Sequence, residues 1–269
     1  MRVKSWVGNA LEHVVSENGS PQSSLGNADY RWDQFDPEAY FQHYYGEPHP
    51  DDERMIRCAV AVMKQAPPIG AELDVVDVGT GPSLIPFLCA LPRARQLTAW
   101  EYAESNIAWL ESELRRKEMR SQWRHFWSVA REAYLPECRP PEDPMPLLRE
   151  KSIFRRGSIF DLPERTWDAA TMFFCAESIT ERQDEFEAAC AAYARCVKRG
   201  GALAAAFLAH SVGYVVNESR FPALSLSAES IANAFARHAE AVKVEAIGIV
   251  ERQVRSGYSG LVFFSGNAR

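Results

Sequence analysis

The residues whose types and spacing suggest chemistry are Asp77, Gly79 and Gly81, with a second acid, Glu101, about 20 positions further on. The first three lie in "VVDVGTGPSL" (75–84), at the end of an apolar, β-branched run, Leu73 to Val78. Such a run predicts a strand buried on both faces. The loop would then leave at the strand's C-terminal end, the edge where open α/β sheets bind ligands. Gly79 and Gly81 would let a ligand approach the backbone, and a helix predicted from about Ser83 would offer its first N–H groups. Leu84 stands where a dinucleotide fingerprint needs its third glycine, and no lysine follows Gly81 as in a phosphate-cradling loop. Glu101, at the end of the next predicted strand, could accept both hydroxyls of a ribose. A glycine loop and a ribose acid with no phosphate grip point to S-adenosyl-L-methionine. The plainer alternative is a tight structural turn beside an exposed glutamate.

These residues need a scaffold, and the rest of the 269-residue chain supplies its pattern. "FDPEAYFQHYY" (35–45) predicts a helix with Asp36 as N-cap and Pro37 in the first turn. Residues 51–66 place Met55, Ile56, Ala59, Val60 and Met63 at helical spacing, ended by Pro67 and Pro68. From Leu73 onward strands and helices alternate. Strand-like runs lie at 73–78, 96–102, 152–160, 167–176 and 202–210, and helical runs lie between them. A further helix (227–239) and two closing strands, joined by "RQVR" (252–255), complete the order. The fold class expected is α/β: a Rossmann-like, mostly parallel seven-stranded sheet with an antiparallel edge. An N-terminal helical lid region (1–70) would precede the ligand-binding domain (71–269). Residues 15–29, rich in Ser, Asn and Gly, read as a mobile linker. Residues 117–150, aromatic and proline-rich, exceed the connection needed there. They read either as a surface excursion or as a cap over a pocket.

Composition narrows the partners. The formal charge of −6 argues against nucleic acid. The N-terminus is too broken by polar residues for a signal sequence, and no apolar run has the length of a membrane span, so a cytoplasmic protein without membrane contact is expected. The six cysteines show neither paired nor finger spacing. They read as reduced core thiols, and no metal site is expected.

The chain resembles class I S-adenosylmethionine-dependent methyltransferases, and more narrowly the family of nicotinamide, phenylethanolamine, indolethylamine and thioether methyltransferases. "FDPEAYFQHYY", "DVGTGPSL", "EYAESN" and "ALAAAFLAHSVGYVVNESRFPALSLS" carry the resemblance in order and spacing. It implies that Tyr40 and Tyr45 close over the methyl donor, and that Gly79, Gly81, Ser83 and Ile85 contact its methionine part. Glu101 and Asn106 would hold the ribose end. Ser158, in place of the family's usual aspartate, and Ile159 would flank the adenine, with Phe173 at the end of the fourth strand. On the acceptor side it implies Glu177 and His210 as catalytic candidates and Phe207, Ser211 and Tyr214 as substrate contacts. Phe207 replaces an acid of the nicotinamide enzyme, and His210 one of the phenylethanolamine enzyme. The alternatives for Glu177 and His210 are a helix-terminus acid and a solvated loop histidine.

The activity implied is methylation of a small-molecule acceptor, on the nitrogen of an amine or heterocycle. S-methylation of a thioether, intramolecular alkyl transfer within the donor, and non-catalytic donor binding stay open. A nicotinamide-dependent oxidoreductase is disfavoured by Leu84.

Overall fold

The structure, a computed structural model, describes residues 25–248 and 257–269. The "RQVR" connection, residues 1–24 and hence most of the expected linker lie outside the described residues.

The sheet is built from β1 (Leu73–Val78), β2 (Ala94–Glu101), β3 (Ser152–Arg156), β4 (Trp167–Phe173), β5 (Val197–Leu208), β8 (Ala239–Ile247) and β9 (Leu261–Ala268), in the order β3-β2-β1-β4-β5-β9-β8. A separate short hairpin joins β6 (Tyr214–Val216) to β7 (Ser219–Phe221). The strands from β3 to β5 are parallel. β9 runs antiparallel between β5 and β8, so the closing pair forms the antiparallel end of the sheet. Strand order reverses between β1 and β4, and the loop carrying Gly79 and Gly81 leaves at this switch point.

The helices are α1 (Pro37–Tyr45), α2 (Pro50–Gln65), α3 (Ile85–Ala90), α4 (Glu104–Arg115), α5 (Ser121–Tyr134), α6 (Met145–Lys151), α7 (Gln183–Cys196) and α8 (Ala228–Phe235). The local chemistry sets their ends. Asp36 accepts from Ala39 N at 2.9 Å to open α1, with Pro37 in the first turn. The guanidinium of Arg93 closes α2, donating to the carbonyls of Met63, Lys64 and Ala66 at 2.8 to 3.1 Å. α7 stops at Cys196, earlier than its sequence pattern suggests. Val197 already pairs with Trp167, and β5 runs through Gly200 and Gly201 rather than starting after them.

One face of the sheet carries the α2, α3, α4 and α5 layer, whose core includes Phe41, Met55, Val60, Phe87, Trp123 and Phe126. The other carries α7 and α8, with Phe186, Tyr193, Phe207 and Phe235. The 117–150 segment belongs to the first core, which corrects the expectation of a cap. Trp123, Phe126, Trp127 and Tyr134 are buried, the Tyr134 hydroxyl donates to Cys89 O at 2.7 Å, and none of these residues faces the ligand edge. Its aromatic richness is that of a helix filling a core. The N-terminal helices are not separate from it either, since Phe41 and Tyr45 pack on Trp123.

Candidate functional site

A cavity of about 880 Å³, partly open to solvent, lies over the C-terminal ends of β1, β2 and β4. Its floor is the loop after β1. Gly79 has φ +65°, and a Cβ there would stand 2.1 Å from Cys175 Sγ, so only glycine fits on either ground. Gly81, at φ +56°, has room for a Cβ, which would meet only Gly79 O at 3.9 Å, so its backbone angle is what favours glycine.

Glu101 ends β2 beside this loop. Its Oε2 accepts from Gly81 N and its Oε1 from Ala103 N, both at 2.8 Å, while Asn106 on α4 donates a further hydrogen bond. The carboxylate therefore fixes the loop and retains acceptor capacity. Burial pushes its pKa up, and the hydrogen bonds from Gly81, Ala103 and Asn106 oppose that shift. Asn106 is 5% exposed and lines the same cavity, and its buried Oδ1 has no hydrogen-bond partner among the described residues. A buried acceptor left so is costly unless a ligand supplies the donor. Beneath the loop, burial raises the Asp77 carboxyl to about 7, with Glu101's charge adding to the shift and hydrogen bonds from Thr171 and Thr80 opposing it. Its Oδ1 accepts from Thr171 Oγ1 at 2.6 Å across the β1–β4 pairing.

The walls bring together much of what the sequence singled out. Tyr40, Tyr45, Gly79, Gly81, Ser83, Glu101, Asn106, Ser158, Ile159, Phe173 and Tyr214 all line the cavity. Ser158 does so at the N-cap of a 3-10 turn, its hydroxyl accepting from Phe160 N at 3.3 Å. Tyr214 arrives on the β6–β7 hairpin, where it stacks on Phe221 and meets Tyr40 edge-on.

Other residues named from sequence are placed elsewhere. Ile85 is buried in the first core. Phe207 is fully buried against Phe186 and Phe235, because β5 alternates: Ala204 and Ala206 face the α2 side, while Leu203, Ala205 and Phe207 face α7 and α8. Glu177 is fully buried in a 3-10 turn after β4. Its Oε1 accepts from Leu208 N at 3.1 Å and its carbonyl from Leu224 N at 2.8 Å, so it ties that turn to β5 and its following loop rather than lining the cavity. His210 is exposed at φ +57°, with Nδ1 2.5 Å from Ser259 Oγ. Ser211 is fully buried and lines neither this cavity nor its neighbour.

The sequence reading missed two sets of residues. One is the strap Leu25–Phe35. Asn27 and Trp32 line the cavity, Asn27 N donates to Glu185 Oε2 at 2.7 Å, and Trp32 stacks on Phe221 at 5.3 Å. The three aromatics in this short stretch, Tyr30, Trp32 and Phe35, were the available signal. The other is a second cavity of about 510 Å³, which shares Tyr40, Tyr45 and Phe174 with the first and adds Tyr44, His49, Asp51, Asp52, Leu208, Tyr258 and Leu261. Among the described residues no group of His, Cys, Asp and Glu could hold a metal ion, and no helix is long and apolar enough to cross a membrane.

A seven-stranded sheet with a glycine loop at its switch point and an acid ending the adjacent strand defines the class: the protein is a class I S-adenosylmethionine-dependent methyltransferase. Within that class, residues 22–137 match the model of the NNMT/PNMT/TEMT family. No curated protein sequence matches the chain significantly. Among solved structures, magnesium protoporphyrin IX methyltransferase (ChlM) from Synechocystis PCC 6803 is similar in fold, with a TM-score of 0.54 at 10% identity over 91% of this chain and 99% of that one. The N-methyltransferase NodS from Bradyrhizobium japonicum WM9 gives a TM-score of 0.51 at 8% identity, covering 83% and 91% of the two chains. The Burkholderia thailandensis 1,6-didemethyltoxoflavin-N1-methyltransferase gives 0.50 at 15% identity, covering 86% and 85%.

Proposed function

We propose that the cavity over β1, β2 and β4 holds S-adenosyl-L-methionine, and that the chain transfers its methyl group to a nitrogen of a small acceptor entering through the adjoining cavity. One observation carries the reading: the buried, unpartnered Oδ1 of Asn106 stands beside a carboxylate with spare acceptor capacity, at the strand end where a ribose would present two hydroxyl donors. In this reading Glu101 and Asn106 take the ribose, Ser158 and Ile159 flank the adenine, and Gly79, Gly81 and Ser83 lie along the methionine part. Tyr40 and Tyr45 enclose the sulfonium, where cation–π contact is worth about 1 to 2 kcal/mol in a dry site.

Both tyrosines also line the second cavity, as does Phe174. An acceptor there has its nucleophile at the shared boundary. Its lone pair forms the new bond to the methyl carbon while the carbon–sulfur pair stays on sulfur. The chain's part is to hold both partners in line and exclude water. Nitrogen is the atom named for the NodS and toxoflavin-precursor enzymes of like fold. A thioether acceptor would gain no contact from Phe207, which packs in the other core.

The test is to incubate the protein with trideuteromethyl-labelled S-adenosylmethionine and a panel of small amines, heterocycles and thioethers, following products by mass spectrometry. Labelled methyl on nitrogen, with one S-adenosylhomocysteine per product, supports the reading. Release of methylthioadenosine, or label on sulfur alone, overturns it.

A further inference from the structure

Asn27 is fixed at the donor cavity by both of its backbone groups. Its N–H donates to Glu185 Oε2 at 2.7 Å, an oxygen to which Thr180 Oγ1 also donates at 2.7 Å, and its carbonyl accepts from Trp32 Nε1 at 3.0 Å. Two residues earlier, Leu25 O accepts from Glu181 N at 3.1 Å. Asn27 lines the cavity, and its half-buried side-chain amide makes no hydrogen bond among the described residues. A residue held so firmly by its backbone presents an amide donor and an amide acceptor in one place.

That place is at the end of the cavity bounded by Ser158 and Ile159. Glu185 lies in the first turn of α7, and α7 packs against the 3-10 turn Ile159–Asp161. Ser178 and Ile179, in the turn leading to α7, line the same cavity. Ser158 has little left for a ligand. Its carbonyl accepts from Trp100 Nε1 at 2.9 Å and from Asp161 N at 3.0 Å, which takes both lone pairs of that oxygen, and its hydroxyl is turned onto Phe160 N as the cap of the turn.

Resting on the reading that this cavity holds S-adenosyl-L-methionine with its base at Ser158 and Ile159, we propose that Asn27 selects the base: its Oδ1 accepts from the 6-amino group of adenine, and its Nδ2 donates to a neighbouring ring nitrogen. An exocyclic amino donor beside a ring-nitrogen acceptor is the pair that a carboxamide complements. A purine without the amino group leaves the amide oxygen without its donor, inside a cavity that the strap closes off from water.

Calorimetry on the full chain compares S-adenosylhomocysteine with its 6-deamino analogue, in which unsubstituted purine replaces adenine. Wild type should bind the amino ligand about tenfold or more tightly than the analogue. In Asn27→Ala the difference should fall below about threefold, through a loss confined to the amino ligand, whereas Asn27→Asp keeps an acceptor and should keep a preference of about fivefold. A wild-type preference already below threefold overturns the proposal. An equal loss for both ligands in Asn27→Ala also overturns it, since Asn27 then only supports the strap. So does a preference that vanishes in Ser158→Ala and persists in Asn27→Ala. Failure of S-adenosylhomocysteine to bind wild type instead overturns the donor-site reading, so the two failures are distinguishable.

Discussion

Asp77 is the residue whose ionisation should be most visible in solution. Its carboxyl has an ordinary pKa of 3.8 and is raised to about 7 when folded, mainly by burial. The folded state therefore binds this proton more tightly than the unfolded chain does. The stability it confers is full below about pH 4 and is lost as pH rises through 7. Asp77→Asn removes that dependence. Between pH 5 and pH 8 the wild type should lose roughly 2 to 3 kcal/mol relative to the variant, measured by urea unfolding at each pH. A constant difference across that range would mean that Asp77 is ionised normally. Glu177 leads to a different expectation at the same scale. With its carboxylate on Leu208 N, Glu177→Gln keeps an acceptor there and should leave kcat/KM within about threefold once an acceptor is known. Glu177→Ala strands that N–H and should cost about 1 to 3 kcal/mol of stability. A hundredfold loss of kcat/KM in Glu177→Gln would return the residue to the reaction. That Gly79, Gly81, Glu101 and Asn106 line one cavity was legible, the glycines from their loop, Glu101 from its place at the end of the second strand and Asn106 from the resemblance. The places of Phe207 and Glu177 were not, because a resemblance fixes a position along a strand but not which face the side chain takes. The parity of β5 decides that for Phe207, and a backbone N–H on the neighbouring strand captures Glu177.

At the scale of elements, α1 is held more firmly than a lid would be. Arg120 pairs with Glu38 of α1 at 2.7 and 2.8 Å and with buried Glu113 of α4 at 2.9 Å, and its guanidinium lies 4.6 Å from the Phe41 ring centroid. Trp109 Nε1 donates to Glu38 as well, and Arg120's hydrogen bonds hold the Glu38 carboxyl down at about 2. Arg120→Met should therefore destabilise the fold by about 1.5 to 3 kcal/mol, because buried Glu113 then keeps only the longer Arg116 contact at 3.6 Å and the Trp123 Nε1 hydrogen bond; thermal unfolding checks this, and an unchanged midpoint would mean that α1 is not clamped. The movable cover is the strap before it. Leu25–Phe35 is held by Asn27 on Glu185, by Leu25 O accepting from Glu181 N, and by the Trp32–Phe221 stack. Trp32→Ala should speed S-adenosylhomocysteine release at least fivefold in stopped-flow fluorescence, with thermal stability nearly unchanged. Equal release rates would place the gate elsewhere. The helix and its cap were legible in "FDPEAYFQHYY", since Asp36 and Pro37 are local signals. The clamp was not, because Arg120 meets Glu38 only through the packing of α5's N-terminus on α1, a long-range contact that no spacing records.

At the scale of the whole molecule, the sheet order places the glycine loop and Glu101 at one edge, and the two cavities meet over β4 and β5 behind shared aromatic rings. The alternation of strands and helices made this architecture legible, since a parallel sheet with crossover helices follows from the pattern. The fate of residues 117–150 was not legible, because an amphipathic aromatic helix can close a pocket or fill a core with the same sequence. Here Trp123 and Phe126 meet Phe41 and Tyr45, and the segment becomes core. The central claim is that the cavity at the switch point is the donor site, with Glu101 on the ribose. Titration calorimetry of S-adenosylhomocysteine into wild type, Glu101→Gln and Phe207→Leu tests it most directly. Micromolar or tighter binding is expected for wild type and Phe207→Leu, and at least tenfold weaker binding for Glu101→Gln, the loss of a charge-assisted contact worth about 1.5 to 3 kcal/mol. Affinity unchanged in Glu101→Gln, or NAD binding in place of S-adenosylhomocysteine, would contradict it.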